Sequence, residues 1–279
     1  MELEILASGY QLVEGPRVDA ENNLYFTDAF GGKVFRRSKD GHIETLVSNR
    51  LMVGGLALHE KGGFVMSGPT VEHWKDGSSR LLLEKEGIQS FNDLHTDEDG
   101  RIVVGAIRSD LTDLKAKKIP GECYRVNLDG SIDELYGDVE VSNGIGFSPS
   151  FDTLYHVDST TKGLITHDID HDGTVKGRRH IGKASFVKGI PDGMCVDEEG
   201  NLWVAHVGGR RVVKLSPDGE ELDEISVPAK AVTSCAFGGP EMTDLYIVTA
   251  DNLDDEKKGG TIFRCKPGVA GTETRLAKV

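Results

Sequence analysis

The 279 residues are enough for one large all-β domain or two ordinary ones, and 38% hydrophobic with 28% charged residues suits a soluble globular chain. A net charge of −14 sets the surface against phosphate backbones and anionic membranes, so neither nucleic acid nor membrane is expected as a partner. No apolar run approaches the ~18 residues of a membrane span, residues 1–6 lack a secretory signal pattern, and Cys123, Cys195, Cys235 and Cys265 form no C-x-x-C pair, so a reduced, cytoplasmic protein is expected.

Along the chain, one short pattern recurs: a turn residue, then the apolar core of a strand. It stands at Asn23-Leu24-Tyr25-Phe26, Gly63-Phe64-Val65-Met66, Arg101-Ile102-Val103-Val104, Thr153-Leu154-Tyr155-His156, Asn201-Leu202-Trp203-Val204 and Asp244-Leu245-Tyr246-Ile247. Measured between the second residues, the spacings are 40, 38, 52, 48 and 43. A repeat of ~40–50 residues built from short strands is the mark of a β-propeller.

Each unit reads as four strands separated by turn signals. In the fifth, the strand that begins at Asp192 is followed by Glu198-Glu199-Gly200, the strand at Leu202, Gly208-Gly209, the strand at Arg211, Pro217-Asp218-Gly219 and a last strand. Lys39-Asp40-Gly41, Lys75-Asp76-Gly77, Leu128-Asp129-Gly130 and His171-Asp172-Gly173 repeat the third hairpin turn in other units. The 35 glycines fall between apolar runs, where tight turns need positive φ. No sustained 3.6-residue apolar period is present, so helices should be minor. Residues 107–121 form the longest insertion and could hold a helical turn. Residues 2–8 precede the first unit and can close the ring as a strand of the last blade, which removes two exposed sheet edges. One domain, residues 1–279, a six-bladed propeller of four-stranded antiparallel blades, is expected.

In a propeller the first strand of each blade lines the channel, so equivalent positions face one another across the axis. Ten residues before the anchors stand Glu14, Gly54, Asn92, Asp192 and, in unit six, Cys235 with Ser234 one residue earlier. Asn143 lies eleven back, a drift that a longer turn would absorb. Carboxylates and amides gathered at the start of apolar strands must be satisfied, and a metal ion does so in one step. Each Asn or Asp before Gly could separately be an ordinary turn residue. Glu14, Asn143 and Asp192 in one phase argue for a site, because Glu is a poor turn residue. Oxygen donors without Cys or His suit one divalent cation of the hard class, Ca²⁺ first, with Mg²⁺, Mn²⁺ or Zn²⁺ as alternatives. Three protein donors leave positions open for water and substrate.

Val141-Ser142-Asn143-Gly144-Ile145, the run from Ile190-Pro191-Asp192-Gly193-Met194 to Asp197 with Leu202-Trp203-Val204-Ala205, and Thr233-Ser234-Cys235-Ala236-Phe237-Gly238-Gly239 together resemble the senescence-marker-protein, gluconolactonase and luciferin-regenerating-enzyme family over nearly the whole chain. The resemblance implies a metal-dependent lactonase, with Glu14, Asn143 and Asp192 as metal ligands and Asp192 also as the general base. It places Asn92 and Asp93 as substrate contacts, and Asp110 as an acidic one. Sugar-lactone members carry an Arg two residues before that Asn; here the position is Ser90, and Arg108 is the candidate to reach the same space. The expected partner is a small, sugar or related, lactone. A metal-dependent hydrolase of another ester or phosphotriester and a non-catalytic calcium-binding propeller are the alternatives. A serine-nucleophile turn of the G-x-S-x-G type is lacking. The histidines read as partly exposed strand residues, with His206 the one at the rim of a pocket. Trp74 and Trp203 read as blade-packing residues.

Overall fold

The computed structural model of the chain describes residues 1–110, 117–182 and 188–279. Among these the strands form six four-stranded antiparallel sheets arranged as a six-bladed β-propeller. Blade one holds β2 (Val13–Val18), β3 (Leu24–Asp28), β4 (Lys33–Arg37) and β5 (Ile43–Val47). Blade two holds β6 (Leu56–Leu58), β7 (Phe64–Met66), β8 (Val71–Lys75) and β9 (Ser78–Leu83). Blade three holds β10 (Ser90–Thr96), β11 (Ile102–Ile107), β12 (Gly121–Val126) and β13 (Ile132–Val139). Blade four holds β14 (Ser142–Phe147), β15 (Thr153–Asp158), β16 (Gly163–Ile169) and β17 (Val175–Ile181). Blade five holds β18 (Ile190–Val196), β19 (Leu202–Val207), β20 (Arg211–Leu215) and β21 (Glu221–Ser226). Blade six joins β22 (Val232–Gly238), β23 (Asp244–Thr249) and β24 (Gly260–Cys265) to β1 (Glu4–Tyr10), the first strand of the chain.

The third hairpin turns fall where the Asp-Gly signals stand. Gly41, Gly77, Gly130, Gly173 and Gly219 take φ of 90°, 82°, 83°, 80° and 85°, a left-handed conformation that any side chain would strain. The expected closure is present: Glu4 pairs with Arg264, Ser8 with Thr261 and Tyr10 with Gly260, and the Arg264 guanidinium donates to Glu4 at 2.6 Å. Of the segment 107–121, in which a helical turn is expected, residues 111–116 lie outside those described, and the described remainder carries no helix. Helical structure among the described residues is limited to short 3-10 turns at Pro240–Met242 and Glu256–Lys258. None of it is long and apolar enough to cross a membrane.

Apolar packing runs around the ring rather than into one centre. Each junction between neighbouring blades carries its own cluster. Val34 meets Leu56, Phe64 and Met66 between blades one and two. Val65 and Val71 meet Leu94, Ile102 and Tyr124 between two and three. Val103 and Cys123 meet Ile145 and Leu154 between three and four, and Val157 and Leu164 meet Met194 and Val204 between four and five. Trp203 meets Cys235, Phe237 and Phe263, and Phe26 meets Tyr246 and Ile262, at the last two junctions. Outer strands such as β17 and β21 are mostly exposed, so burial falls from axis to rim. Both tryptophans pack as expected: Trp74 stacks on Phe64 at 5.0 Å, and Trp203 donates from Nε1 to Asp197 at 3.0 Å.

Residues 266–279 cross one end of the channel. Glu198 N–H donates to the Ala270 carbonyl (2.9 Å), Thr272 N–H to Val196 (3.2 Å), Ala277 N–H to Leu58 and Lys278 N–H to Gly100 (both 2.8 Å). The segment therefore ties blade five to blades two and three across the axis. Ala277 is fully buried in the cluster of blades two and three. Replacing it with Glu would bury an unpaired charge, and the expected loss is about 3 kcal/mol or more. Urea unfolding of Ala277→Glu checks this; an unchanged midpoint would show that the segment does not dock.

Candidate functional site

The other end of the channel is built by irregularities in the inner strands. In an antiparallel pair an extra residue on one strand bends it and re-aims its side chains. The pairing of β2 with β3 slips between Glu14 and Arg17, β10 with β11 between Phe91 and Leu94, β14 with β15 between Ser142 and Ile145, and β18 with β19 between Pro191 and Met194. Glu14 borders its bulge, and Asn92, Asn143 and Asp192 lie inside theirs. The four side chains thus occupy one structural phase in blades one, three, four and five. The drift at Asn143 comes from the hairpin that follows. Phe147 pairs with Leu154, whereas Val196 pairs with Leu202, so blade four carries one more residue in its turn.

Blade two contributes Gly54, and a Cβ there would stand 2.7 Å from Ser67 Oγ and 2.9 Å from the Asn92 carbonyl. In blade six the register corrects the sequence count. Phe237 pairs with Leu245 across a longer turn, and the slip between Val232 and Ser234 puts Thr233, not Ser234 or Cys235, in phase. Its hydroxyl donates to the Val13 carbonyl at 2.6 Å and stitches blade six to blade one.

Asn92 and Asn143 are locked by hydrogen bonds. Asn92 Nδ2 donates to Asn143 Oδ1 at 2.5 Å and to the Ser142 carbonyl at 2.8 Å. Asn143 Nδ2 donates to Ser159 Oγ at 2.7 Å, and Ser159 Oγ donates to the Pro191 carbonyl at 2.6 Å. The amide nitrogen of Asn143 is thereby committed to Ser159. Ser159 escaped the sequence reading because it follows a second strand and shares no phase with the repeat.

Three carboxyls share this space. Burial pushes the proton affinity of Glu14 well up, and the nearby carboxylates of Asp192 and Asp93 push it further. Asp192 is raised well above its usual range by burial and then by Asp93. Burial also raises Asp93, against the pull of Arg17 and the backbone N–H groups of Leu94 and Ile145. The Arg17 guanidinium lies 3.9 Å from Asp93 and donates to the carbonyls of Pro16 (2.7 Å) and Leu94 (3.1 Å). Carboxylates crowded by burial and mutual repulsion, beside an amide of fixed orientation, are a donor set that a hard divalent cation fits. Among the described residues no three His, Cys, Asp or Glu side chains group in ligating geometry, so such a set depends on Asn143 as a neutral member.

The remaining candidates are placed differently. Arg108 does not extend to Asn92: its Nε donates to both oxygens of Glu122 (2.9 and 3.0 Å) and Nη1 to the Gly87 carbonyl (3.2 Å). Ser90 is buried opposite Ile107. Asp110 is exposed, just past the end of β11 at the site end of the channel. His206 is not a rim residue. It pairs with Pro191 behind the β18 bulge, is fully buried, and accepts from Arg211 Nε at 3.2 Å. The expectation of partly exposed histidines fails for His156 as well, which is also fully buried. Burial pushes His206 and His95 down to about 4 and His156 to about 3, so all three imidazoles are neutral near pH 7.

Comparison with known proteins agrees with this architecture. The chain is 32% identical over 264 residues to regucalcin of Xenopus laevis, covering 91% of this chain and 88% of the relative. The structure of a calcium-binding protein, regucalcin, from Agrobacterium tumefaciens superposes with a TM-score of 0.87 at 24% identity, covering 99% of this chain and 97% of that one. A gluconolactonase of Xanthomonas campestris superposes with a TM-score of 0.79 at 25% identity, covering 95% and 89%. Residues 12–251 match the SMP-30/Gluconolactonase/LRE-like region, and the chain belongs to that family.

Proposed function

We propose that the protein is a lactonase that opens a small lactone to its hydroxy acid, with one divalent cation, calcium first, held by Glu14, Asn143 and Asp192. The observation that carries this reading is the convergence of those three oxygen side chains from blades one, four and five, with Asn143 and Asp192 inside bulges and Glu14 at the border of one. Family membership with lactonase relatives supports the reaction class. The cation would polarise the ester carbonyl and stabilise charge developing on its oxygen. Asp192 accepts the proton of the attacking water. Asn92, fixed against Ser142 and Asn143, orients the substrate beside it. Asp93 is paired toward Arg17 and keeps that guanidinium at the floor of the site. Ser90 carries no guanidinium, Arg108 is tied to Glu122 and Arg17 is committed to Asp93 and backbone carbonyls, which favours lactones with few hydroxyls over polyhydroxylated ones.

The test is hydrolysis of sugar, aliphatic and aromatic lactones by chelated protein, with Ca²⁺, Mg²⁺, Mn²⁺ and Zn²⁺ restored singly. Ring opening that returns with metal is the expected result. Metal binding without turnover of any lactone would leave a hydrolase of other esters or a calcium-binding propeller. Asp192→Ala should lower kcat/KM by about 10²–10⁴-fold with the circular dichroism of a folded propeller retained; a fully active variant would exclude the mechanism.

Protons and cation compete for the same oxygens. Because the Glu14 and Asp192 carboxyls hold protons above the ordinary carboxylate range, binding a cation must expel them as pH falls toward that range. Calcium affinity should therefore strengthen as pH rises, by up to about tenfold per unit for each proton displaced, and level off once both groups are ionised. Calorimetric titrations at several pH values measure this, and a flat profile across the acid range would rule out carboxylate ligation.

A further inference from the structure

We infer that His156 is a positioning residue for the site, acting through Ser142; the inference rests on the reading of Asn143 as a metal ligand. His156 lies on β15, with no solvent exposure, and joins two blades. Its Nε2 is 2.7 Å from Ser142 Oγ on β14, and its Nδ1 is 2.8 Å from the Tyr136 hydroxyl on β13 of blade three. The Tyr136 ring is itself clamped by stacking on His167, centroids 4.0 Å apart. Ser142 is equally buried and sits where three constraints meet. Its hydroxyl bonds His156, its carbonyl accepts from Asn92, and the next residue is Asn143.

The bulge explains why such a bond is needed. Between the pairs Ser142–Asp158 and Ile145–His156 the regular ladder is interrupted, so Asn143 and Gly144 are not held by it. Strand position there depends on side chains instead. The His156–Ser142 bond spans the bulge from one flanking pair to the other, and the Asn143–Ser159–Pro191 bonds hold the side chain inside it. Room for this arrangement comes from Gly105, the residue of β11 opposite the Asn92 bulge. A Cβ on Gly105 would stand 1.7 Å from Ser142 Oγ and 3.1 Å from His156 Nε2. A missing side chain in one blade thus admits the polar chain that aligns the next. Groups that orient metal ligands in this way are worth about 10–100-fold in metal affinity when removed.

The experiment is calorimetric titration of chelated protein with Ca²⁺, together with thermal unfolding of the metal-free form. His156→Asn keeps an amide near the Tyr136 hydroxyl but is too short to reach Ser142. His156→Gln reaches the position of Nε2. The expected result is a calcium Kd raised about 10–100-fold in His156→Asn and in Ser142→Ala, with most of the loss recovered in His156→Gln. A purely structural role predicts equal effects of Asn and Gln, read in the metal-free Tm and not in Kd, and that outcome overturns the inference. Ser142→Ala, which only removes an oxygen, serves if the His156 variants do not fold. Asn143→Ala separates the two levels. Unchanged calcium binding in that variant sinks the metal-site reading itself, whereas loss of binding there with an unchanged Kd in His156→Asn and Ser142→Ala sinks only the positioning role.

Discussion

The inner strands of six blades converge on one axis, and that radial constraint governs the rest of the molecule. Side chains at equivalent positions are driven toward the same small space whatever their chemistry. Further along the channel the lining is mixed, with Ala57, Met194, Cys195 and Ala236 beside Arg17 and His95. At the Glu14 end the constraint sets Glu14, Asp93 and Asp192 within electrostatic reach of one another under burial, and each is raised in proton affinity. Groups in that situation hold protons or share a cation. Arg17 offsets part of the repulsion from below, drawing down the proton affinity of both Asp93 and Glu14.

The bulges reconcile this gathering of polar groups with a continuous sheet. A residue in the ladder commits its backbone to its neighbours and its side chain to one face. Insertion of an extra residue releases both locally. The same release loosens the strand where atomic position matters most, and side-chain hydrogen bonds take over. Ser142, His156, Tyr136 and Ser159 serve blade four in this way. In blade six Thr233 occupies the equivalent phase, and its hydroxyl joins blade to blade instead of turning to the axis.

Much of this was legible in the residues. Turn chemistry is local, so Asp40-Gly41 and its four counterparts marked the hairpins, and the regular spacing of apolar cores gave six blades. The phase argument found Glu14, Asn92, Asn143 and Asp192 because their hairpin turns are nearly equal in length. It failed in blade six, where the turn after β22 is longer and the count landed on Ser234 and Cys235 in place of Thr233. The burial of His156 and His206 was hidden because a histidine inside a strand reads the same whether its face meets solvent or a neighbouring blade. Nor could Arg108 be assigned from sequence, since its partner Glu122 lies across a hairpin in the same sheet. The crossing of the axis by residues 266–279 left no signal, because its contacts are backbone bonds to blades far away in the chain.

The pairing of β1 with β24 joins strands far apart in the chain, with Glu4 and Arg264 separated by 260 positions. During synthesis β1 therefore emerges long before its partner exists, and blade six cannot be completed until Gly260–Cys265 has left the ribosome. Through that interval the edge of β1 and the flank of blade one that will meet Tyr246 and Ile262 have no cover. Contacts of such sequence separation are slow to form and leave partly made rings prone to pair with one another. The one charge on β1, Glu4, then acts before folding is complete, as a deterrent to strand addition by another unfinished chain.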